Sequence, residues 1–211
     1  MVYPYKITDT VEGIKLYIPD PERIKPVYVE RLANDSLTRF PFWAKIWPSA
    51  IAMVSFLKSN PGWILNKQVL ELGAGIGLPS FFAAPLASGV LISDYDPEAI
   101  ELAQKNIEYL DLKKVQAMQI DWNHFPKDIQ ADTILLSDIN YAPDQFESLL
   151  GLIRMWLEQG TTILLSTPQR ITASPFVTAL EPFIKSSVLK MVPEHGQLVE
   201  ISIVVLTNSV T

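Results

Sequence analysis

From about residue 67 onward, short apolar runs alternate with segments whose apolar residues recur at helical spacing. Two of the runs, Ile134–Leu136 and Ile163–Leu165, are apolar at every position. Such runs are typical of strands that are covered by helices on both faces of a sheet. The pattern predicts strands over Lys67–Leu72, Gly89–Ser93, Lys114–Ile120, Thr133–Ser137 and Thr161–Thr167.

Helices are predicted between these strands. In one of them Asp96 is the N-cap and Pro97 takes the first helical position, and another opens at Pro143 and runs to about Leu157. The apolar face of the first consists of Ile100, Ala103, Ile107 and Leu110. Strand–helix alternation of this kind predicts an α/β fold with a doubly wound, mostly parallel sheet and right-handed crossovers.

The two ends of the chain depart from this alternation. Residues 184–193 and 197–206 are predicted to form an antiparallel hairpin around a turn at 193–196. Residues 1–40 mix short β-type runs with several prolines, and we expect a β-rich N-terminal cap there. Because no linker rich in glycine or serine divides the chain, residues 1–211 are expected to form one domain, with its core in 41–211.

Composition and charge narrow the possible partners. The net charge of −6 disfavours nucleic acid, because an acidic surface repels phosphates. No apolar run reaches the roughly 18–20 residues of a membrane helix, and the first residues lack the pattern of a signal peptide. Cysteine is absent and the histidines are His124 and His195, so neither disulfides nor a metal site is expected. The sequence favours a soluble, cytoplasmic protein.

A glycine-rich turn is the clearest candidate for chemistry. The predicted strand ending Glu71–Leu72 runs directly into Gly73-Ala74-Gly75-Ile76-Gly77, and a helix is expected to start just beyond. Glycines let the backbone turn sharply and approach a ligand closely, and a helix start offers free N–H groups. In a parallel sheet, ligands bind at this edge, beyond the carboxyl ends of the strands.

Two other interpretations of the turn remain. It could be a structural strand-to-helix connection, or the phosphate loop of a dinucleotide fold. The dinucleotide motif requires glycine at its sixth position, where this chain has Leu78. Glu71 would also repel a pyrophosphate, whereas its carboxylate could anchor the ammonium end of a methionine moiety. These points favour an amino-acid-bearing cofactor.

The next two strands also end in polar residues. Asp94 can accept hydrogen bonds from both ribose hydroxyls, whereas the neighbouring Asp96 has a competing role as the helix cap. Asp121 and Trp122 follow the third strand, where an adenine edge and face would lie; packing in the core is the alternative for Trp122. Tyr95, directly after Asp94, is a further candidate for the cofactor site.

Several motifs together resemble the seven-β-strand, S-adenosylmethionine-dependent protein-lysine methyltransferases, which are also described as nicotinamide N-methyltransferase-like. They are the segment 41–48 (PFWAKIWP), the glycine turn 71–79, Asp121-Trp122 and the segment 137–141 (SDINY). The resemblance implies a Rossmann-like sheet of seven strands in the order 3-2-1-4-5-7-6, with a C-terminal antiparallel hairpin. It also implies that 41–211 is the catalytic core and that S-adenosyl-L-methionine is the cofactor.

The resemblance assigns individual residues to roles. It places the cofactor against Trp47, Gly73, Ala74, Gly75, Asp94, Trp122 and Ser137. Asp138 and Tyr141 match the D-x-x-Y signature that faces the transferred methyl group and the substrate nitrogen. The alternatives are that Asp138 caps the turn before Pro143 and that Tyr141, like Trp43 and Trp47, is a packing residue.

The chain departs from the family pattern in two places. Asn140 is polar where relatives are often apolar, and Pro85 shortens the helix after the glycine turn. Arg170 could border the acceptor channel, although a solvated loop arginine is the favoured interpretation, and no catalytic role is expected for His124 or His195.

The predicted acceptor is a lysine of a protein substrate. A small amine or heteroaromatic acceptor, and a non-catalytic binding module, are the alternatives.

Overall fold

The computed structural model describes residues 3–168 and 174–208. Within them, the strands are β1 (Tyr5–Asp9), β2 (Lys15–Pro19), β3 (Gln68–Leu72), β4 (Gly89–Asp94), β5 (Val115–Gln119), β6 (Thr133–Ser137), β7 (Thr162–Pro168), β8 (Ile184–Glu194) and β9 (Gln197–Leu206). The α-helices are α1 (Pro21–Asn34), α2 (Pro48–Ser59), α3 (Leu78–Ala83), α4 (Pro97–Tyr109), α5 (Phe146–Glu158) and α6 (Ser174–Leu180). Short 3-10 turns at Phe42–Ala44, Trp122–His124 and Pro143–Gln145 lie beside the site described below.

The main sheet has the predicted architecture. Its seven strands lie in the order β5-β4-β3-β6-β7-β9-β8, which is 3-2-1-4-5-7-6 when strands are counted from β3. All pairs from β5 to β7 are parallel, and β9 pairs antiparallel with both β7 and β8. The predicted α/β class, strand order and C-terminal hairpin are therefore confirmed.

Alternate residues of the central strands supply two hydrophobic cores, one on each face of the sheet. Val69 and Leu135 belong to the core under α2, α3 and α4, whereas Leu70 and Ile134 belong to the core under α5 and α6. Side chains alternate between the faces of a strand, so a strand with helices on both sides must be apolar throughout. This requirement explains why the strands predicted from the apolar runs agree closely with the observed strands.

The N-terminal segment differs from the prediction. It contains two short strands, β1 and β2, which pair antiparallel, but also the helix α1, so it is not simply β-rich. Pro21 occupies the first turn of α1, where proline is well tolerated. The Asp20 carboxylate accepts a hydrogen bond from the Glu22 N–H at 3.2 Å and caps the helix.

The helices of the core begin and end where local chemistry requires. Asp96 caps α4 by accepting a hydrogen bond from the Glu98 N–H at 2.9 Å, as predicted. The buried face of α4 is rotated from the predicted one: Ala103 and Ile107 are buried, but so are Ala99, Leu102 and Asn106.

The helix α3 ends two residues before Pro85, which confirms its shortness. None of the described helices has the length and apolar character needed to cross a bilayer.

Glu71 is a carboxylic acid buried inside the sheet. Its side chain is 0% exposed, and its Oε2 accepts a hydrogen bond from the Ser80 N–H in the first turn of α3 at 2.9 Å. Its Oε1 has no hydrogen-bond partner within the described residues. Burial raises the pKa of Glu71 to about 8, and the nearby charge of Asp94 adds to the shift. The carboxyl group is therefore largely protonated near neutral pH.

We predict that Trp156→Ala strongly destabilises the fold. Trp156 is 2% exposed and packs edge-on against Phe125, with 4.8 Å between the ring centroids. Removing the indole leaves a cavity in the core under α5, and such truncations cost about 3–5 kcal/mol. Urea unfolding measures the change. Leu198→Ala is the control, since this side chain is 63% exposed; equal stabilities of the two variants would contradict the packing described here.

We predict that Glu71→Gln gains stability relative to wild type as the pH rises. Between the ordinary carboxyl pKa of 4.5 and the raised pKa of about 8, folded wild type holds a proton that the unfolded chain releases. Wild type therefore loses stability as pH rises through this window, by up to about 1.4 kcal/mol per pH unit, whereas glutamine does not titrate. Urea unfolding of both proteins from about pH 5 to about pH 8 tests this. A constant difference over that range would show that Glu71 is ionised in the folded state.

Candidate functional site

A cavity of about 700 Å³ opens at the carboxyl ends of the parallel strands. It is bordered by the glycine turn after β3 and by the residues that follow β4, β5 and β6. On the other side the segment 38–47, between α1 and α2, forms its wall. Its volume lies within the range of about 300–1,000 Å³ that is usual for small-molecule sites.

The glycine turn forms the floor of this cavity. Gly73, Gly75 and Gly77 have φ angles of +63°, +54° and +76°, a region that side chains disfavour. A Cβ atom on Gly75 would lie 3.1 Å from the carbonyl oxygen of Trp43, and one on Gly73 would lie 3.0 Å from Ile139 Cγ2. Glycine is therefore required both by the backbone conformation and by the close approach of these neighbours.

Asp94 connects the turn to the end of β4. Its Oδ2 accepts a hydrogen bond from the Gly75 N–H at 2.8 Å, and its Oδ1 accepts one from the Asp96 N–H at 2.9 Å. Burial raises the pKa of Asp94, although these backbone hydrogen bonds oppose the shift. The carboxylate is thus held rigidly against the cavity, and each oxygen keeps lone-pair capacity for a ligand hydroxyl.

Asp121 and Trp122 form the side of the cavity beyond β5. The Asp121 carboxylate accepts a hydrogen bond from the Asn123 N–H and contacts His124 Nδ1, both at 2.9 Å. These contacts lower the pKa of Asp121, with His124 the main cause. Trp122 donates from Nε1 to the Gln145 side chain at 3.2 Å, which fixes the orientation of the indole. Trp122 also packs against the adjoining core, so it both lines the cavity and contributes to the packing.

The end of β6 carries Ser137 and Asp138. Ser137 Oγ is buried, lines the cavity and has no hydrogen-bond partner within the described residues. Asp138 has a φ of 58° and its N–H donates to the Ser166 carbonyl on β7 at 2.8 Å. The 3-10 turn at Pro143–Gln145 has Ala142 as its N-cap residue, without a side-chain cap hydrogen bond. Asp138 is among the residues that line the cavity.

Tyr141 and Asn140, which follow Asp138, point in different directions. Tyr141 is 53% exposed at the mouth of the cavity, and partial burial raises its pKa, with the charges of Asp94 and Asp138 contributing. Asn140 is 1% exposed and faces β7, where its Oδ1 accepts a hydrogen bond from Thr167 Oγ1 at 2.9 Å. The polar residue that departs from the family pattern thus packs against a strand and is not part of the cavity wall.

The two tryptophans of the segment 41–48 have different environments. Trp43 is 6% exposed and packs edge-on against Tyr3 at 5.6 Å, so it belongs to the core while its backbone borders the glycine turn. Trp47 precedes α2, lines the cavity and donates from Nε1 to the Phe42 carbonyl at 2.9 Å. The Lys45 ammonium lies 4.4 Å from the centroid of the Trp47 ring and pairs with Glu194 at 2.8 Å.

The structure brings almost all of the predicted site residues together. Those that line the cavity are Trp47, Gly73, Ala74, Gly75, Asp94, Tyr95, Asp121, Trp122, Ser137, Asp138 and Tyr141. Glu71 does not line it, because its side chain points from β3 toward α3, and the anchoring of a methionine ammonium through its backbone or water contacts stays a prediction. His124 and His195 also lie outside the cavity wall, and Arg170 falls outside the described residues.

Sequence reasoning missed part of the cavity wall. Phe40 and Phe42 line it from the N-terminal side, and Gln145 does so beside Trp122. The density of aromatic residues between Phe40 and Trp47 was an available signal, since such clusters are rarely left near the surface without a role.

The cavity suits a ligand that has a nucleoside part and a polar arm. The glycine turn admits close approach of a ligand to the backbone, Asp94 offers acceptors for ribose hydroxyls, and the Trp122 ring offers a face for stacking. Ser137 Oγ is a buried donor and acceptor that a ligand can satisfy. These residues fit S-adenosylmethionine.

Known structures share this fold. The N-methyltransferase NodS from Bradyrhizobium japonicum, solved in complex with S-adenosyl-L-homocysteine, superposes with a TM-score of 0.62 at 14% sequence identity. The match covers 84% of this chain and 97% of that one. At this identity the comparison establishes the Rossmann-like methyltransferase fold.

Sequence relatives lead to a more specific family. The histone-arginine methyltransferase METTL23 of Mus musculus is 29% identical over 124 residues, or 56% of this chain. The protein N-lysine methyltransferase METTL21A of Danio rerio is 33% identical over 144 residues, or 64% of this chain. The matches span 49% of the mouse protein and 65% of the zebrafish protein.

A sequence model of the lysine methyltransferase family matches residues 33–183, which is most of the chain and includes the glycine turn, Asp94 and the 137–141 motif. This match supports the resemblance identified in the sequence and S-adenosylmethionine as the cofactor. The chain belongs to the lysine methyltransferase family.

Proposed function

We propose that this chain transfers a methyl group from S-adenosylmethionine to the side-chain nitrogen of a lysine in a protein acceptor. One observation carries the proposal. The residues suited to the cofactor, around Gly75 and Asp94, share a single cavity with Asp138 and Tyr141, which lie toward its mouth. A donor and an acceptor nitrogen can therefore meet inside one site.

The reaction has simple requirements. When bound, S-adenosylmethionine supplies a methyl group on a positively charged sulfur. The acceptor nitrogen must present a free lone pair, so a lysine ammonium has to lose a proton to solvent before the N–C bond forms as the S–C bond breaks. The protein's tasks are thus to align the amine and to lower its pKa.

Asp138 and Tyr141 are suited to different tasks. Asp138 is 8% exposed, and its carboxylate can orient an incoming ammonium. Because this negative charge by itself raises the pKa of the amine, the lowering of the pKa depends on desolvation. The rings of Tyr141 and Phe42, with centroids 6.0 Å apart, exclude water from an aliphatic chain that passes beside them. Removal of water favours the neutral amine, because desolvation disfavours the charged form.

The open mouth supports a protein acceptor over a small amine. Tyr141 is 53% exposed and Phe42 is 51% exposed, so the acceptor side of the cavity is not enclosed. A small heteroaromatic acceptor would need walls on all sides to be held in line, whereas a side chain attached to a protein is positioned in part by its own backbone.

Arginine is a second candidate, because METTL23 of mouse is named a histone-arginine methyltransferase. The family model that matches this chain is one of lysine methyltransferases, and METTL21A of zebrafish is named a protein N-lysine methyltransferase. These matches support lysine as the acceptor.

The remaining features concern partners and location. We propose that nucleic acid is not an acceptor, which the net charge of −6 supports. We also propose a cytoplasmic location, since the chain has no cysteine and so does not depend on disulfides.

We predict that Asp94→Ala loses cofactor affinity. Calorimetric titration should show S-adenosylhomocysteine binding to wild type and binding about 10- to 100-fold weaker to Asp94→Ala, since hydrogen bonds to a charged group contribute about 1.5–3 kcal/mol. Asp128→Ala is the matched control, because Asp128 is exposed and does not line the cavity. Equal affinity of Asp94→Ala and wild type would count against this site.

We predict that Asp138→Asn transfers methyl groups at least about tenfold more slowly while it still binds the cofactor. Asparagine keeps the shape and tolerates the positive φ of 58° at this position, so only the charge is lost. The assay measures transfer of tritium from labelled S-adenosylmethionine into nuclease-treated extract of a strain that lacks this protein. Asp128→Asn is the control.

The labelled product distinguishes the alternatives. Amino-acid analysis should find the label on lysine; label on arginine would support the second candidate. Label only in small molecules would contradict a protein acceptor. Equal transfer by Asp138→Asn and wild type would remove Asp138 from the catalytic residues, and binding of the cofactor without any transfer would support a non-catalytic module.

A further inference from the structure

A row of aromatic side chains leads away from the mouth of the cavity. We call it the aromatic rim, and it consists of Tyr28, Phe40, Phe42 and Tyr141. Successive ring centroids lie 5.2 Å apart for Tyr28–Phe40, 5.1 Å for Phe40–Phe42 and 6.0 Å for Phe42–Tyr141. All four residues line the cavity. The rim is therefore continuous with the proposed site of methyl transfer.

The rim is assembled from two parts of the chain. Tyr141 follows β6, whereas Tyr28 lies on α1 and the two phenylalanines lie between α1 and α2. The family match starts at residue 33, so most of α1 lies outside it. Tyr28 thus lies outside the family match, whereas Phe40, Phe42 and Tyr141 lie within it.

The helix α1 is held firmly against the core. Arg31 pairs with Glu98 at the start of α4 at 2.8 Å, and its guanidinium lies 6.0 Å from the centroid of the Tyr3 ring. Val27 is buried in the core of the sheet. Because α1 is fixed in this way, the position of Tyr28 and of its neighbour Phe40 is fixed relative to Tyr141.

The rim is more exposed than packing alone would require. Phe40, Phe42 and Tyr141 are 38%, 51% and 53% exposed. Contiguous exposed apolar side chains next to a functional cavity are typical of surfaces that bind a partner. Aromatic rings are also the side chains that contribute most at such surfaces, because they offer large contact areas at small entropic cost.

Charge indicates the kind of partner. The acidic residues of the cavity lining are Asp94, Asp96, Asp121, Asp138 and Asp144, and they outnumber the basic ones, Arg39 and Lys45. Lys45 is moreover paired with Glu194. At Tyr141 itself the negative charges of Asp94, Asp138 and Asp144 act against the positive charge of Arg39. The mouth thus attracts cations and repels phosphates, and aromatic faces bind cations as well as aliphatic chains.

We propose that the aromatic rim docks a basic segment of the acceptor protein, so that the residues flanking the acceptor lysine contact Phe40 and Tyr28 while the lysine passes beside the Phe42 and Tyr141 rings. The proposal rests on the proposed function and adds to it a role for the N-terminal segment. Docking on the rim sets how tightly the acceptor binds and leaves the cofactor half of the cavity unchanged.

Phe40→Ala provides the test. The probe is the extract of the strain that lacks this protein, treated with nuclease, and the rate of tritium transfer is measured against extract concentration. We expect the half-saturating concentration to rise at least about fivefold and the maximal rate to stay within about twofold, because a docking contact changes binding more than chemistry. Affinity for S-adenosylhomocysteine should equal that of wild type. Tyr28→Ala should act in the same direction.

Leu198→Ala is the matched control. It removes an apolar side chain that is 63% exposed on β9 and does not line the cavity, so the transfer kinetics should match those of wild type. Thermal unfolding of all variants shows whether a change arises from loss of fold. Added poly-L-lysine with every amine trimethylated cannot accept a methyl group and should inhibit transfer by competing for the rim, whereas poly-L-glutamate of the same length should not.

Each outcome has a distinct meaning. If wild type transfers no tritium to extract protein, the proposed function fails and the docking role fails with it. If wild type transfers tritium and Phe40→Ala gives the same half-saturating concentration, the proposed function stands and the rim is not the docking site. Equal inhibition by both polymers, or weaker cofactor binding in Phe40→Ala, would also overturn the docking role.

Discussion

The site depends on the backbone turn that follows β3. Gly73, Gly75 and Gly77 all adopt positive φ angles, and a Cβ atom on Gly75 would lie 3.1 Å from the Trp43 carbonyl. The turn lets the Gly75 N–H reach the Asp94 carboxylate at 2.8 Å, and it starts α3 where the Ser80 N–H meets buried Glu71. Any larger residue would separate the segment before α2 from the sheet. The cavity, its acidic wall and its aromatic mouth follow from this one close contact.

Much of the fold could be predicted because its physical requirements are local. Strands buried on both faces must be apolar throughout, so the predicted bounds of β3, β6 and β7 agree closely with the observed ones. Asp94, Asp121 and Asp138 could be grouped because parallel strands end at one edge of the sheet. The strand order came from family resemblance, since the apolar pattern does not specify which strands are neighbours.

The features that the sequence did not predict depend on packing between distant parts of the chain. Glu71 lies on β3, where successive side chains point to opposite faces, and α3 covers the face that receives its carboxyl group. The helix α1 was missed because a β-rich cap was expected over residues 1–40, although Pro21 takes the first helical turn behind the cap Asp20. Phe40 and Phe42 were missed because their role depends on contact with Tyr141, about a hundred residues away in the sequence.

We propose that one cavity binds the methyl donor at the glycine turn and opens to a protein acceptor at the aromatic rim. A crystal structure grown with saturating S-adenosylhomocysteine is the decisive experiment. We expect ligand density over Gly73–Gly75, with the ribose against Asp94 and the sulfur directed toward Asp138 and Tyr141. Density at another site, or a sulfur directed away from Asp138, would overturn this arrangement.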